Sequence, residues 1–289
     1  MRGIALSPVL DGRVQADRSP GEVFADAVRE TPPGHDIEVA YGIHLPAAFP
    51  LFASRPRYTV RHLMKTAAVA DAPVPYVYEP PAGRLRSGST YATTPEAAFA
   101  SRLAHAGLTD ISVAVPLPAG LLDEPELLAT FVDLRVLVRL SARENDVLLN
   151  GTADGVITGL LRLPGTRSRA AEPDLVTAVT AAAADVENTG GSCDGIVAHP
   201  DIYWQLVRHG ALDRLNAAGI TVSRTRMIPP HLLLLGDFSA ATTLLLPGVG
   251  SIAVRRGAGP DGGDLIEAST RVGLAVRLPQ HLMTMELSR

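Results

Sequence analysis

The chain of 289 residues is 46% apolar and 19% charged, which supplies a large core and excludes wholesale disorder. Acidic residues outnumber basic ones 30 to 26, a formal charge of −4 that argues against a uniformly basic nucleic-acid binder. The single cysteine, Cys193, excludes an intrachain disulfide and a cysteine-rich zinc site, and no apolar run approaches the ~20 residues of a membrane helix.

Residues 1–58 read as an arm punctuated by Pro8, Pro20, Pro32, Pro33, Pro46, Pro50 and Pro56. Met1 to Pro8 hold no sustained apolar stretch, so no signal peptide is expected and the compartment is expected to be reducing. One short helix is predicted from Pro20 to Arg29, with Ser19 as N-cap and Pro20 in the first helical position. Val23, Phe24, Ala27 and Val28 would form its apolar stripe. At three turns it cannot stand alone, and it docks either on its own domain or on a partner.

Tyr58 to Lys65 forms a short structured entry. Pro73 to Glu79 alternates like a strand, and its two prolines confine it to an edge or an exposed ribbon. A polar tip, Pro80 to Ser89, follows, then a helical reading for Pro95 to His105 and a return strand over Asp110 to Pro116. Such an excursion serves a lone monomer poorly and suits reaching across to a neighbour.

Pro125 to Leu149 is the strongest element. Asp123 is the candidate N-cap, with Glu124 and Glu126 at the positive dipole end. Leu127, Phe131, Leu134 and Val138 recur at helical spacing, flanked by Leu128, Leu137 and Leu140. Asn150-Gly151 supplies a left-handed stop, and the helix would run roughly 37 Å. Residues 173–245 read as an α/β unit. A helix over Asp174–Val186 precedes a strand over Gly195–Ala198. A helix from Pro200 to a stop at Gly210 follows, then a buried strand over Leu232–Leu235. Strands follow over Thr243–Leu246, Ser251–Arg255, Asp264–Leu278 and His281–Leu287. The order predicts an α+β chain with two lobes.

The chemistry-bearing residues favour structural roles. Cys193 precedes a predicted strand with His199 six residues on, and a packed thiol is favoured over a nucleophile. Gly248-Val249-Gly250 lacks the third glycine of a dinucleotide loop and reads as a hairpin turn. Gly257 to Gly263 reads as a turn between strands. The eight histidines show no paired ligand spacing. Asp123, Glu124 and Glu126 read as dipole capping rather than a metal or acid–base cluster. Asp237 reads as turn chemistry. Tyr203-Trp204 could stack a base, but without neighbouring cations it reads as helix packing. No catalytic residue, cofactor or metal site is expected.

The ordered set of elements resembles the major capsid proteins of tailed phages, the Hong Kong 97 fold, which encapsulin nanocompartment shells share. Four segments carry the likeness: Tyr58 to Met64 with Pro75 to Glu79, Ile111 to Pro118 with Leu121 to Pro125, Arg143 to Gly151 with Gly155 to Leu160, and Val197 to Trp204 with Leu235 to Ser239. The resemblance implies an arm over 1–58, an extended-loop region over 59–118 and a peripheral domain with spine helix over 119–171. It further implies an axial domain over 172–245 and peripheral return strands over 246–289. It also implies many copies in a closed icosahedral shell, with no enzymatic activity and no membrane. Arg84 and Arg86, near the loop tip, are the candidate inter-subunit ion-pair residues. The chain's only lysine, Lys65, lies outside the tip, so the lysine cross-link of some phage members should be absent. The short arm lacks the large scaffolding segment many phage members carry, and the Gly210–Gly219 stretch implies a trimmed axial loop. An encapsulin shell around a cargo protein in the cytoplasm is therefore favoured. A DNA-filled phage capsid, located in the virion, is the alternative. From another class stands an α/β enzyme with its site in residues 173–245.

Overall fold

The computed structural model describes residues 18–42, 59–70, 72–79, 101–170 and 174–287. Their contacts group them into two units. One draws on residues 1–56, 109–144 and 246–272, the other on 57–108, 145–245 and 273–289.

In the first unit, helix α1 (Pro20–Glu30) starts as its sequence dictates. Ser19 Oγ accepts from the Glu22 amide at 3.1 Å, and the Ser19 amide donates to Glu22 Oε2 at 2.8 Å, a reciprocal capping box. The helix docks on its own chain, against the start of the spine. Gly21 is required there, because a Cβ would overlap the Ala129 carbonyl oxygen. Phe24 and Val28 of the expected stripe are buried, but Gly21 and Ala25 share that face in place of Val23 and Ala27. Strand β1 (Ile37–Gly42) pairs antiparallel with β11 (Val249–Arg255), which pairs with β12 (Leu265–Val276). Strand β5 (Thr109–Pro116) lies on β12, with Ile111 opposite Thr270 and Val115 opposite Ile266. Ile111, Val115, Ile252, Val254 and Ile266 are buried, the period-two pattern of strands with one face in a core.

The spine comprises α2 (Pro125–Phe131), a π-helical turn (Val132–Val136) and α3 (Leu137–Asn150), ending at Gly151 with φ +85°. Two expectations are corrected. The N-cap is Glu124 rather than Asp123, which closes a 3-10 turn at Leu121–Asp123. The face turned to the core is Leu128, Val132, Val136 and Leu140; Leu127 and Leu134 are 59% and 48% exposed.

In the second unit, a five-stranded sheet runs in the order β6 (Arg167–Ala170), β13 (Leu282–Glu286), β9 (Leu232–Gly236), β7 (Gly195–Ala198), β8 (Thr221–Arg224). Helices α4 (Leu175–Glu187), α5 (Pro200–Arg208) and α6 (Ala211–Ala217) share its core, formed by residues such as Val179, Ile196, Leu206, Leu215, Leu233 and Met285. Asp174 caps α4 by accepting from the Thr177 amide at 2.7 Å. Helix α6 was not foreseen. It fits between the left-handed Gly210 (φ +62°) and Gly219 (φ +82°), so this connection is short but helical.

The last four residues of β12 pair with β10 (Thr242–Leu246), Thr242 opposite Val276 and Leu245 opposite Gly273, and β10 pairs in turn with β2 (Lys65–Ala68). Strands β10 and β11 thus each pair with β12 and not with one another, so Pro247-Gly248 is a crossover, Val249 and Gly250 already belong to β11, and Gly248–Gly250 is not a hairpin turn. Residues 256–264, by contrast, join two strands that do pair. A short helix, α7 (Phe238–Ala241), is capped by Asp237 through the Ala240 amide at 2.9 Å.

Candidate functional site

Strand β3 (Val74–Tyr78) pairs antiparallel with β4 (Arg102–Ala106) in a two-stranded ribbon. This corrects the helical reading of Pro95 to His105 as far as the described residues reach. Alanines at 104 and 106 favour a helix locally, but pairing with Tyr76 and Val74 puts them on the covered face of a strand. It also corrects the expected return strand: β4, not β5, returns along β3.

The ribbon has two unlike faces. Val74 and Tyr76 pack with Ala106 against Leu245 and Ala275. Burial pushes the Tyr76 hydroxyl up from its ordinary pKa. On the other face Val77 lies opposite Leu103, and these apolar side chains are 51% and 71% exposed. The root is anchored: the Glu79 amide donates to Arg277 O at 2.9 Å, and Ser101 Oγ donates to Glu79 Oε1 at 2.9 Å. A two-stranded ribbon is marginal in water without such support. Arg84 and Arg86 belong to the stretch from residue 80 to 100, outside the described residues.

The entry to the ribbon segment is pinned by a buried amide. Asn145 Oδ1 accepts from the Val60 amide at 2.7 Å, and its Nδ2 donates to Thr225 Oγ1 at 3.0 Å. Ser223 Oγ donates to Thr59 O at 3.0 Å. The sequence offered no sign of these contacts, which join residues 80 or more apart.

On the spine, Leu127 and Leu134 stand exposed and Phe131 and Val138 half-buried, opposite the core-facing residues. The helix is therefore apolar on two sides, as expected of a helix covered by a partner.

Around α5, Tyr203 is buried and Trp204 is 55% exposed. The two rings meet edge to face at 5.5 Å, and the Arg224 guanidinium lies over both, 4.4 Å from the Tyr203 centroid and 5.3 Å from that of Trp204. A cation does stand beside this pair, contrary to the sequence reading. Chain distance hid it. Between α4 and α6 lies a cleft of about 290 Å³, lined by Val176, Val179, Ala184, Ala211, Leu215 and Ile220 among others, with Glu187 and Arg214 as its charged residues.

Cys193 is buried, and desolvation, then Asp194, push its thiol up to about 12. Asp194 accepts from the Phe238 and Ser239 amides at 2.7 and 3.0 Å, and Asp237 accepts from the Ser192 amide at 2.9 Å. These carboxylates lock the loop around β7. Burial holds His281 below the ordinary histidine range, partly offset by Asp237. Among the described residues no three histidine, cysteine or carboxylate groups converge as a metal site requires. None of their helices is long and apolar enough to cross a membrane.

No family model matches this sequence, and no curated protein matches it. Solved structures do. A structure from Microbacterium phage Oxtober96 superposes with a TM-score of 0.58 at 14% identity, covering 80% of this chain and 91% of that one. The Hong Kong 97-type capsid fold is therefore the fold of this chain. The capsid of the empty GTA particle shares the fold at TM-score 0.55 and 16% identity, over 81% of this chain and 98% of the other. So does the virus-like particle from Pyrococcus furiosus, at 0.52 and 12%, over 80% and 93%. Within this Hong Kong 97-type fold, the spine and strand β3 belong to segments that the sequence resemblance singled out, whereas β4 does not.

Proposed function

We propose that this chain is a self-assembling subunit of a closed icosahedral shell, of encapsulin type, with a cargo protein inside. The observation that carries the reading is the ribbon face of Val77 and Leu103, apolar and exposed on the strand pair that residues 80–100 connect. Its exposure is costly in a lone subunit and useful where the excursion lies over an adjacent copy. The second bare apolar face, on the spine, supports the same reading. Shell contacts of this kind exceed ~2,000 Å² and are obligate.

In this reading residues 1–58 form the arm, 59–118 the extended-loop region, 119–171 and 246–289 the peripheral domain and 172–245 the axial domain. Arg84 and Arg86 form inter-subunit ion pairs at the loop tip. The protein is a building block and not an enzyme, which the thiol of Cys193, kept protonated by burial, supports. The lack of any tip lysine, the brief Gly210–Gly219 stretch and the acidic balance favour the encapsulin branch. A DNA-filled shell is the second reading, favoured by likeness to a phage structure and to a GTA capsid.

Electron microscopy and absorbance spectra of the purified product test the reading. Uniform small hollow particles without nucleic-acid absorbance support the encapsulin form. Particles rich in nucleic acid favour the DNA form, and a persistent monomer refutes both. Reversing Arg84 and Arg86 together to glutamate should impair assembly and spare the subunit fold.

A further inference from the structure

We propose that Trp204 of one copy seats in the α4–α6 cleft of the next, joining subunits head to tail; the inference rests on the shell-subunit reading. Helix α5 links the two features. Leu206 lines the cleft, and Trp204, two residues earlier, is turned about 200° away around the helix. Protrusion and recess thus lie on opposite sides of one helix. Contacts between different surfaces of identical units are heterologous, and they close into rings when the rotation permits.

Trp204 is built as an anchor. It is exposed, yet held by the edge of Tyr203 and by Arg224, and Val207 beside it is 37% exposed. Interface hot spots are enriched in tryptophan, tyrosine and arginine. The cleft is built to receive an apolar body. Alanines at 184, 211 and 218 leave about 290 Å³ above a lining that includes Leu215 and Ile220, room for an indole. The charges match as well. Asp201 and Arg208 flank Trp204 at one helical turn on either side, and Arg214 and Glu187 stand at the cleft. A second copy carries all of these complements.

Trp204 is the chain's only tryptophan, so its fluorescence reports the contact directly. Emission and acrylamide quenching are compared between assembled particles and subunits dissociated by dilution, for the parent and for Ala184→Phe. Ala184 is exposed, so phenylalanine there fills the cleft without disturbing the core. Assembly of the parent should shift emission to shorter wavelength and lower the quenching constant several-fold. Ala184→Phe should abolish that protection or block assembly. Particles whose Trp204 stays as quenchable as in the free subunit overturn the contact and leave the shell reading intact. Equal protection in parent and Ala184→Phe particles also overturns it, because Trp204 is then buried elsewhere. A chain that never assembles removes both.

Discussion

Replacing Asn145 by alanine strips a buried amide that is 2% exposed and holds two distant segments to the spine. The Val60 amide loses its 2.7 Å bond and is left buried without an acceptor, a loss of ~1–3 kcal/mol. The space vacated by the truncated side chain adds about 1 kcal/mol. Thr225 keeps its contact from the Met227 amide, so its loss is smaller. The total, about 2–4 kcal/mol, lowers Tm by roughly 3–7 °C for a chain of this size. Scanning calorimetry reads the global effect, and amide exchange at Val60 reads the local one. Thr225→Val in a double-mutant cycle should show a coupling of ~0.5–3 kcal/mol with Asn145→Ala. A Tm within about 1 °C of the parent, with Val60 exchange unchanged, would refute the assignment of Asn145 as the pin of the ribbon entry.

Asp133 accepts from the Gly21 amide at 2.8 Å, yet burial raises its pKa. The folded state therefore binds this proton more tightly than the unfolded chain, and stability falls as pH rises from near the unfolded carboxylate value through the raised folded one. Asp133→Asn keeps the acceptor and removes the charge, so its Tm should gain on the parent between pH 4 and 7; a gap that closes with rising pH would contradict this. Cys193 should resist a thiol reagent at pH 8 in the folded chain and react fully once unfolded, and rapid native labelling would contradict its burial. Leu103→Asp, at a side chain 71% exposed, should leave the melting curve of the subunit near that of the parent while abolishing particles on size exclusion. Normal particles from that variant would remove the ribbon face from the assembly contacts.

Much of the fold was legible wherever the signal is local. The cap Ser19 was readable, because a capping side chain bonds an amide three residues away, whereas Asp174, read as the first helical residue, and Asp237, read as turn chemistry, are N-caps as well. Strand β7 matched residue for residue, since the short apolar run Ile196-Val197-Ala198 between Gly195 and His199-Pro200 leaves little choice. The candidate site was less legible. Its exposed residues, Val77, Leu103 and Trp204, look like core residues in a sequence, and only the tertiary structure shows that the described residues leave them half or more exposed.

The sequence alone determined the α+β class, the long spine, the α1 cap and the resemblance to a capsid fold, because periodicity, capping and element order are written along the chain. Tertiary structure decided which face of the spine meets the core, that β4 is a strand, that Pro247-Gly248 is a crossover and that Arg224 lies over Trp204. The physical reason is common to all four. Each depends on which segment fills the space beside a residue, and that neighbour lies dozens of residues away, chosen by packing rather than by local propensity.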